Sequence, residues 1–258
     1  MARTMLVTGG SGFLGRHLAE ARGARAWSWI APSSHDLDLR DRERVLEHVC
    51  ERKPSVVVHL AYRRDDARSI VEASANVAEA SATCRARLVH LSSDVVFAGR
   101  EQPYVEDDPP DAVMDYGRWK AEAERRVAAA CANSVLVRTS LLYGTTRLAP
   151  WQEAIRDRQP VTWFTDELRC PTHAADIAEA ICLLARRTDV RGPLHVAAPE
   201  PIGRAGLAQA MADWLHLGDG AVRTGAGVPH DRPGRLILDS SRAAALGITC
   251  RTISAALR

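Results

Sequence analysis

The 258-residue chain has no Cys-x-x-Cys pair, no His-x-x-x-His spacing and no Gly-x-Ser-x-Gly elbow. The first two absences argue against a zinc centre, and His173, His195 and His230 are scattered rather than clustered at ligand spacing. The third argues against a serine hydrolase. No apolar run approaches the ~20 residues that span a bilayer, so no membrane segment is expected. Charge is also nearly absent in net terms: 34 basic and 32 acidic residues leave a formal +2, which calls for neither nucleic acid nor an anionic membrane. The pairs Arg63-Arg64, Arg125-Arg126 and Arg186-Arg187 are most simply solvated charges. Six cysteines at 50, 84, 131, 170, 182 and 250 read as structural thiols of a reducing cytoplasm. The first apolar strand begins within a few residues, which predicts no signal peptide and a cytoplasmic protein. Internal repeats, heptads and low-complexity tracts are missing too.

What is present begins at the N-terminus. Met5-Leu-Val-Thr8 is a short apolar run, followed directly by Gly9-Gly-Ser-Gly-Phe-Leu-Gly15 and then a helical stretch, Arg16 to Arg22. Glycines at 9, 12 and 15 permit a tight turn, close approach of a pyrophosphate and tight helix–strand packing. Free N–H groups and the positive dipole end of the helix favour that phosphate. A Gly-rich turn without a ligand is the bland alternative; the strand before and the helix after favour the nucleotide.

A second constellation lies between residues 88 and 130. The apolar run Leu88-Val-His-Leu91 ends at Ser92 and Ser93, and Tyr116 opens an Ala/Glu/Arg-rich helix that carries Lys120. Residues four apart share one helical face. A nearby ammonium lowers a phenol's pKa, and such a tyrosine can exchange a proton with a carbonyl or alcohol oxygen, which a strand-end serine could hold. A bare Tyr-x-x-x-Lys more often means a helix-start aromatic beside a solvated lysine, so the Gly loop supplies the weight.

Together, Thr8-Gly-Gly-Ser-Gly-Phe-Leu-Gly15, Leu91-Ser-Ser-Asp-Val-Val-Phe97 and Tyr116-Gly-Arg-Trp-Lys120 resemble the extended branch of the short-chain dehydrogenase/reductase superfamily. Asp36-Leu-Asp-Leu39, Val137-Arg-Thr-Ser-Leu-Leu-Tyr-Gly144, Pro171-Thr-His-Ala-Ala-Asp-Ile-Ala178 and Arg232-Pro-Gly-Arg-Leu-Ile-Leu-Asp239 are similar to the dTDP-4-dehydrorhamnose reductase family within it. The resemblance implies Ser93 as the hydroxyl that holds the carbonyl, Tyr116 as proton donor, and Lys120 as anchor of the nicotinamide ribose. Ser93 is preferred over Ser92 because Ser-x-x-Val-Phe97 matches the family phrase; Ser92 would bond backbone, and Asp94 would turn the loop, with a third acid as its alternative role. For the cofactor it implies Gly9, Ser11, Gly12, Phe13, Leu14, Gly15 and Arg16, then Asp38 and Leu39 at the adenine. Leu60, Ala61 and Tyr62 follow, with Leu91, Ser92, Tyr116 and Lys120. Where many members carry a relay asparagine, the best register here puts Ile70, and Asn76 falls a turn later.

Alternating apolar strands and helices indicate an α/β fold with a Rossmann-type doubly wound parallel sheet. Residues 1–145 should form most of the dinucleotide-binding part, and 146–258 return to the sheet and build a small C-terminal substrate lobe. Arg25 to Ile30 reads as the second strand, Val56 to Leu60 as a central one, and Val135 to Arg138 as another. Asp41 caps a helix from Arg42 to Glu51, and Asp65 to Cys84 is helical. Gln102 to Ala112 is a loop by composition.

No acid stands between Trp27 and Ser34, where an NAD site carries one. With Arg16, Ser33 and Ser34 nearby, this leans modestly toward NADP(H). Arg147, Trp151, Arg169 and Arg232 lie where the resemblance expects substrate, and one of them should clamp a diphosphate. The expected function is NAD(P)-dependent reduction of a keto group on a nucleotide-linked or modified sugar. Two alternatives stay open: an epimerase or dehydratase that retains NAD, and a non-catalytic cofactor-binding subunit. A homodimer through the helices near 65–84 and 116–130 is also implied.

Overall fold

A computed structural model describes residues 3–227 and 232–258; His230 lies outside them. The first half runs β1 (Thr4–Thr8), α1 (Phe13–Glu20), β2 (Ser28–Ile30), α2 (Arg42–Arg52), β3 (Val56–His59), α3 (Ala67–Thr83), β4 (Arg87–Leu91), α4 (Asp115–Ala130) and β5 (Ser134–Arg138). Then come β6 (Leu142–Tyr143), α5 (Pro150–Arg156), β7 (Thr162–Phe164), β8 (Leu168–Arg169), β9 (Thr172–His173), α6 (Ala174–Leu184) and β10 (Gly192–His195). The chain ends with β11 (Ile202–Gly203), α7 (Arg204–Trp214), β12 (Arg223–Gly225) and two short helices, α8 (Ser241–Ala245) and α9 (Ile253–Ala256).

Six strands form one sheet in the order β10-β5-β4-β3-β1-β2, parallel at every pairing. The central strands run in continuous apolar stretches such as Met5-Leu-Val7, Val56-Val-Val58 and Val135-Leu-Val137 rather than alternating, because both faces are covered. Met5, Val7, Val56 and Val58 pack toward α1 and α6; Leu6, Val57 and Leu88 pack toward α2, α3 and α4. From β1 the chain passes to β2 on one side and later to β3 on the other. That reversal opens a crevice at the carboxyl ends of β1 and β3, the place where doubly wound sheets bind ligands. The remaining strands make three two-stranded pieces, β11-β8, β12-β7 and β6-β9, around a separate apolar cluster that includes Tyr143, Trp163, Leu207 and Met211.

Two expectations need correction. The second strand is only Ser28–Ile30, because Arg22–Ala26 winds into a 3-10 turn. The Ala24 carbonyl stabilises that turn by accepting from both Trp27 N (3.0 Å) and Trp29 Nε1 (3.2 Å). Nor are all six cysteines thiols: Cys50 and Cys84 form a disulfide, their Cα atoms 5.6 Å apart. α2 and α3 lie side by side and bring the two sulfurs together, which a separation of 34 residues did not signal. Cys131, Cys170 and Cys182 are free and buried. Among the described residues no helix is long and apolar enough to cross a membrane.

Candidate active site and cofactor crevice

The crevice holds a cavity of about 440 Å³. Eight of the expected cofactor residues line it: Gly9, Ser11, Gly12, Asp38, Leu39, Leu60, Ala61 and Tyr62. Gly9 has φ +72°, and a Cβ there would lie 2.8 Å from Ala61 N, so only glycine lets the loop turn this tightly against β3's exit. Beneath the cavity Thr8 Oγ1 meets His59 Nδ1 at 2.7 Å, and His59 Nε2 meets Ser74 Oγ at 3.1 Å. β1, β3 and α3 are thereby tied in one chain. Burial pushes the His59 imidazolium down to about 3, so the ring is neutral.

The Asp38 side of the cavity is braced by charge. Arg40 bonds Asp38 at 2.8 Å and approaches Asp66 at 3.6 Å. Its hydrogen bonds hold the Asp38 carboxyl down to about 2. Asn76, left without a role by the sequence, donates from Nδ2 to Leu39 O at 3.0 Å and pins this loop to α3. Asp41 caps α2 as expected, accepting from Arg44 N. Phe13, Leu14, Gly15 and Arg16 lie on α1 outside the cavity lining. Arg16 is exposed, its Nε donating to Ser11 O at 2.9 Å; Ser33 Oγ is engaged by Asp36 at 2.7 Å. Arg63 and His35 line the cavity instead. Arg63 and Arg64 are both exposed, as expected of solvated charges, and Arg64 also lies over the Tyr116 ring, 5.1 Å from its centroid. Their side-by-side placement just after β3 was the available signal.

Across the sheet's carboxyl edge, Tyr116 and Lys120 share a face of α4. Lys120 is 3% exposed, and its Nζ donates to Leu91 O at 3.0 Å. Burial pushes this ammonium down to about 8, opposed by Glu124. Tyr116 does not have the lowered pKa expected from Lys120. Burial raises it, and a hydrogen bond with Tyr62 raises it further. Burial is the main reason and Tyr62 the second; the Tyr62 ring lies 4.3 Å from Lys120 Nζ and stacks on Tyr116 at 5.8 Å. Ile70 is 1% exposed and purely a packing residue.

Ser93 is half-buried and caps the 3-10 turn Asp94–Val96. α4 docks on that turn so closely that a Cβ on Gly117 would lie 2.0 Å from Val95 O, which sets Ser93 and Tyr116 on either side of one junction. Ser92 does not bond backbone through its side chain: Oγ donates to Glu124, which also pairs with buried Arg138 at 2.8 Å. Asp94 is more than a loop turn. It is buried, accepts from Ser140 Oγ at 2.6 Å, lies 3.9 Å from Arg169, and has its pKa raised by burial. Behind it, buried Glu167 binds Arg169 (3.0 Å), Arg204 (3.3 Å) and Arg232 (3.1 Å). Arg147 and Trp151 do not join this group; they bond Glu20 and Leu142 O.

A six-stranded parallel sheet with a glycine turn at its switch point defines a protein of the dinucleotide-binding α/β class. Within that class the chain belongs to the family described as the RmlD substrate binding domain, whose model matches residues 3–258. It is 29% identical over 282 residues to methionine adenosyltransferase 2 subunit beta of Bos taurus, covering 97% of this chain and 84% of that one. It is 32% identical over 245 residues to a "probable dTDP-4,6-dihydroxy-2-methyloxan-3-one 4-ketoreductase" of Streptomyces antibioticus, covering 88% and 82%. The fold matches the crystal structure of dTDP-4-dehydrorhamnose reductase from Bacillus anthracis in complex with NADP, with a TM-score of 0.89 and 24% identity, over 100% of this chain and 96% of that one.

Proposed function

We propose that the protein is an NAD(P)-dependent reductase of a keto group on a nucleotide-linked sugar, with Tyr116 as proton donor. The observation that carries this reading is the continuity of the crevice. Tyr62 lines the cavity under the Gly loop, and its ring meets both Tyr116 and Lys120 on the other side, so the candidate site directly adjoins the cavity. The dinucleotide supplies the hydride; the protein positions it and manages the proton. Ser93 Oγ holds the carbonyl oxygen, Tyr116 Oη gives it a proton, and Lys120 Nζ holds the nicotinamide ribose. Of the arginines expected at substrate, Arg232 is the best clamp for a diphosphate: it is 37% exposed while anchored on Glu167. The activities of the similar ketoreductase and of a dTDP-4-dehydrorhamnose reductase, 29% identical, support a dTDP-linked keto sugar. A modest preference for NADPH is part of the proposal, supported by the missing acid between Trp27 and Ser34.

NADPH oxidation with dTDP-4-dehydrorhamnose, followed at 340 nm, is the test. Tyr116→Phe should lower kcat by about 100-fold or more with an unchanged circular dichroism spectrum. Full activity in that variant removes the role of Tyr116. The second reading, a non-catalytic subunit, is favoured by one observation besides the adenosyltransferase relative: the Tyr116 phenol is raised, not lowered. A stable complex with an adenosyltransferase, without hydride transfer to any sugar nucleotide, would establish it instead.

A further inference from the structure

Tyr62 leaves β3 on the loop before α3 and is 43% exposed, an unusual place for a large aromatic ring. Besides its hydrogen bond to Tyr116, two ring contacts hold it inward. Its ring stacks on Tyr116 with centroids 5.8 Å apart at 29°, and Lys120 Nζ lies 4.3 Å from its centroid. Both are attractive in geometry: an offset aromatic pair and a cation over a π face. The amine beneath is 3% exposed and already committed to Leu91 O. Tyr62 also lines the cofactor cavity, so its ring stands between that cavity and the ammonium.

This bears on the proposed function, on which the following step rests. If Lys120 is to hold a ribose, a hydroxyl must reach the ammonium where the Tyr62 ring now lies. We propose that Tyr62 is a displaceable plug: its ring seals Lys120 and Tyr116 in the cofactor-free protein, and the nicotinamide end of the dinucleotide pushes it outward on binding. Loop backbone and open solvent beside the ring allow this by side-chain rotation alone. The adenosine half, seated at Asp38 and Leu39, binds without moving it. The sugar reaches Tyr116 only after the dinucleotide, so binding is ordered.

Lys53 and Lys120 are the two lysines of the chain, which makes amine labelling a direct readout. Lys53 is exposed and serves as the internal standard. With acetic anhydride on the ligand-free protein, followed by peptide mass spectrometry, wild type should label Lys53 rapidly and Lys120 slowly. Tyr62→Ala should raise Lys120 labelling about tenfold at unchanged Lys53. Tyr62→Phe loses the hydrogen bond to Tyr116 but keeps the ring over the ammonium, and its Lys120 labelling should stay close to wild type rather than rise as in Tyr62→Ala. Equal Lys120 labelling in wild type and Tyr62→Ala overturns the seal. The second arm titrates NADPH and 2′,5′-ADP by intrinsic fluorescence. Tyr62→Ala should bind NADPH about tenfold tighter, equivalent to about 1.4 kcal/mol, with 2′,5′-ADP unchanged. Unchanged or weaker NADPH binding overturns the displacement and makes Tyr62 part of the nicotinamide platform; an equal gain for both ligands means a loosened loop and overturns it as well. If neither ligand binds wild type, the proposed cofactor role fails, and the displacement with it, while the labelling result still decides the seal.

Discussion

At the scale of single residues, the ground beneath the site is built from neutral bases. His59 and His90 are cross-strand neighbours, their rings 5.3 Å apart, and neither nitrogen of His90 has a hydrogen-bond partner. Burial lowers both well below the ordinary imidazole range, His59 to about 3. A folded pKa below the unfolded one means the unfolded chain takes up protons first. The stability these rings confer is full above about pH 6.5 and is lost as pH falls toward about 3. Urea midpoints at pH 7.5, 6 and 5 should therefore decline, and less steeply in His90→Leu; parallel slopes would refute the attribution. A second residue-scale outcome concerns the cofactor. Arg63 lines the cavity with Ser33 and Ser34, whereas Arg16 lies outside it. Arg63→Ala should weaken NADPH by about tenfold and leave NADH within about twofold, as loss of one charge-assisted phosphate contact implies; equal losses would deny it a role at the 2′-phosphate. That Tyr116 and Lys120 share a helix face and Ser93 follows a strand end could be read from the sequence because such spacing is local information. The raised Tyr116 phenol could not, since it depends on how deeply the fold buries it and on where Tyr62, 54 residues earlier, lies against it.

At the scale of elements, the strands and helices of the first half were legible because parallel strands covered on both faces spell continuous apolar runs, and Asp41 marks its helix start openly. The disulfide was not, because it depends on how α2 and α3 settle beside each other. It joins the last turn of α2 to the C-cap of α3, closing β3 and the whole of α3 into a loop. Chain entropy alone assigns such a crosslink about 3–4 kcal/mol. Reduction, or Cys50→Ser, should lower the thermal midpoint, and intact mass should rise by two hydrogens on reduction. A thermal midpoint insensitive to reductant would show that the pair is not bonded in solution.

At the scale of the whole molecule, buried Glu167 gathers β8, the start of α7 and the segment at Arg232 around one carboxylate. Removing one member of a buried ionic cluster leaves unpaired charge and typically costs about 3–5 kcal/mol. Glu167→Ala should show a loss of that size in denaturant unfolding; a loss below about 1 kcal/mol would mean the arginines find other partners. The sequence shows arginines in abundance here but not which carboxylate they share. That depends on segments 30 to 65 residues apart converging in the C-terminal lobe. The strand order has a further consequence, for synthesis. β5 waits as a bare edge until β10 emerges from the ribosome more than fifty residues later, and an unpaired apolar edge is a template for aggregation. A nascent chain stalled after β5 is thus a client for a chaperone rather than a finished half, and the molecule becomes self-sufficient only when its later part is laid against its earlier one.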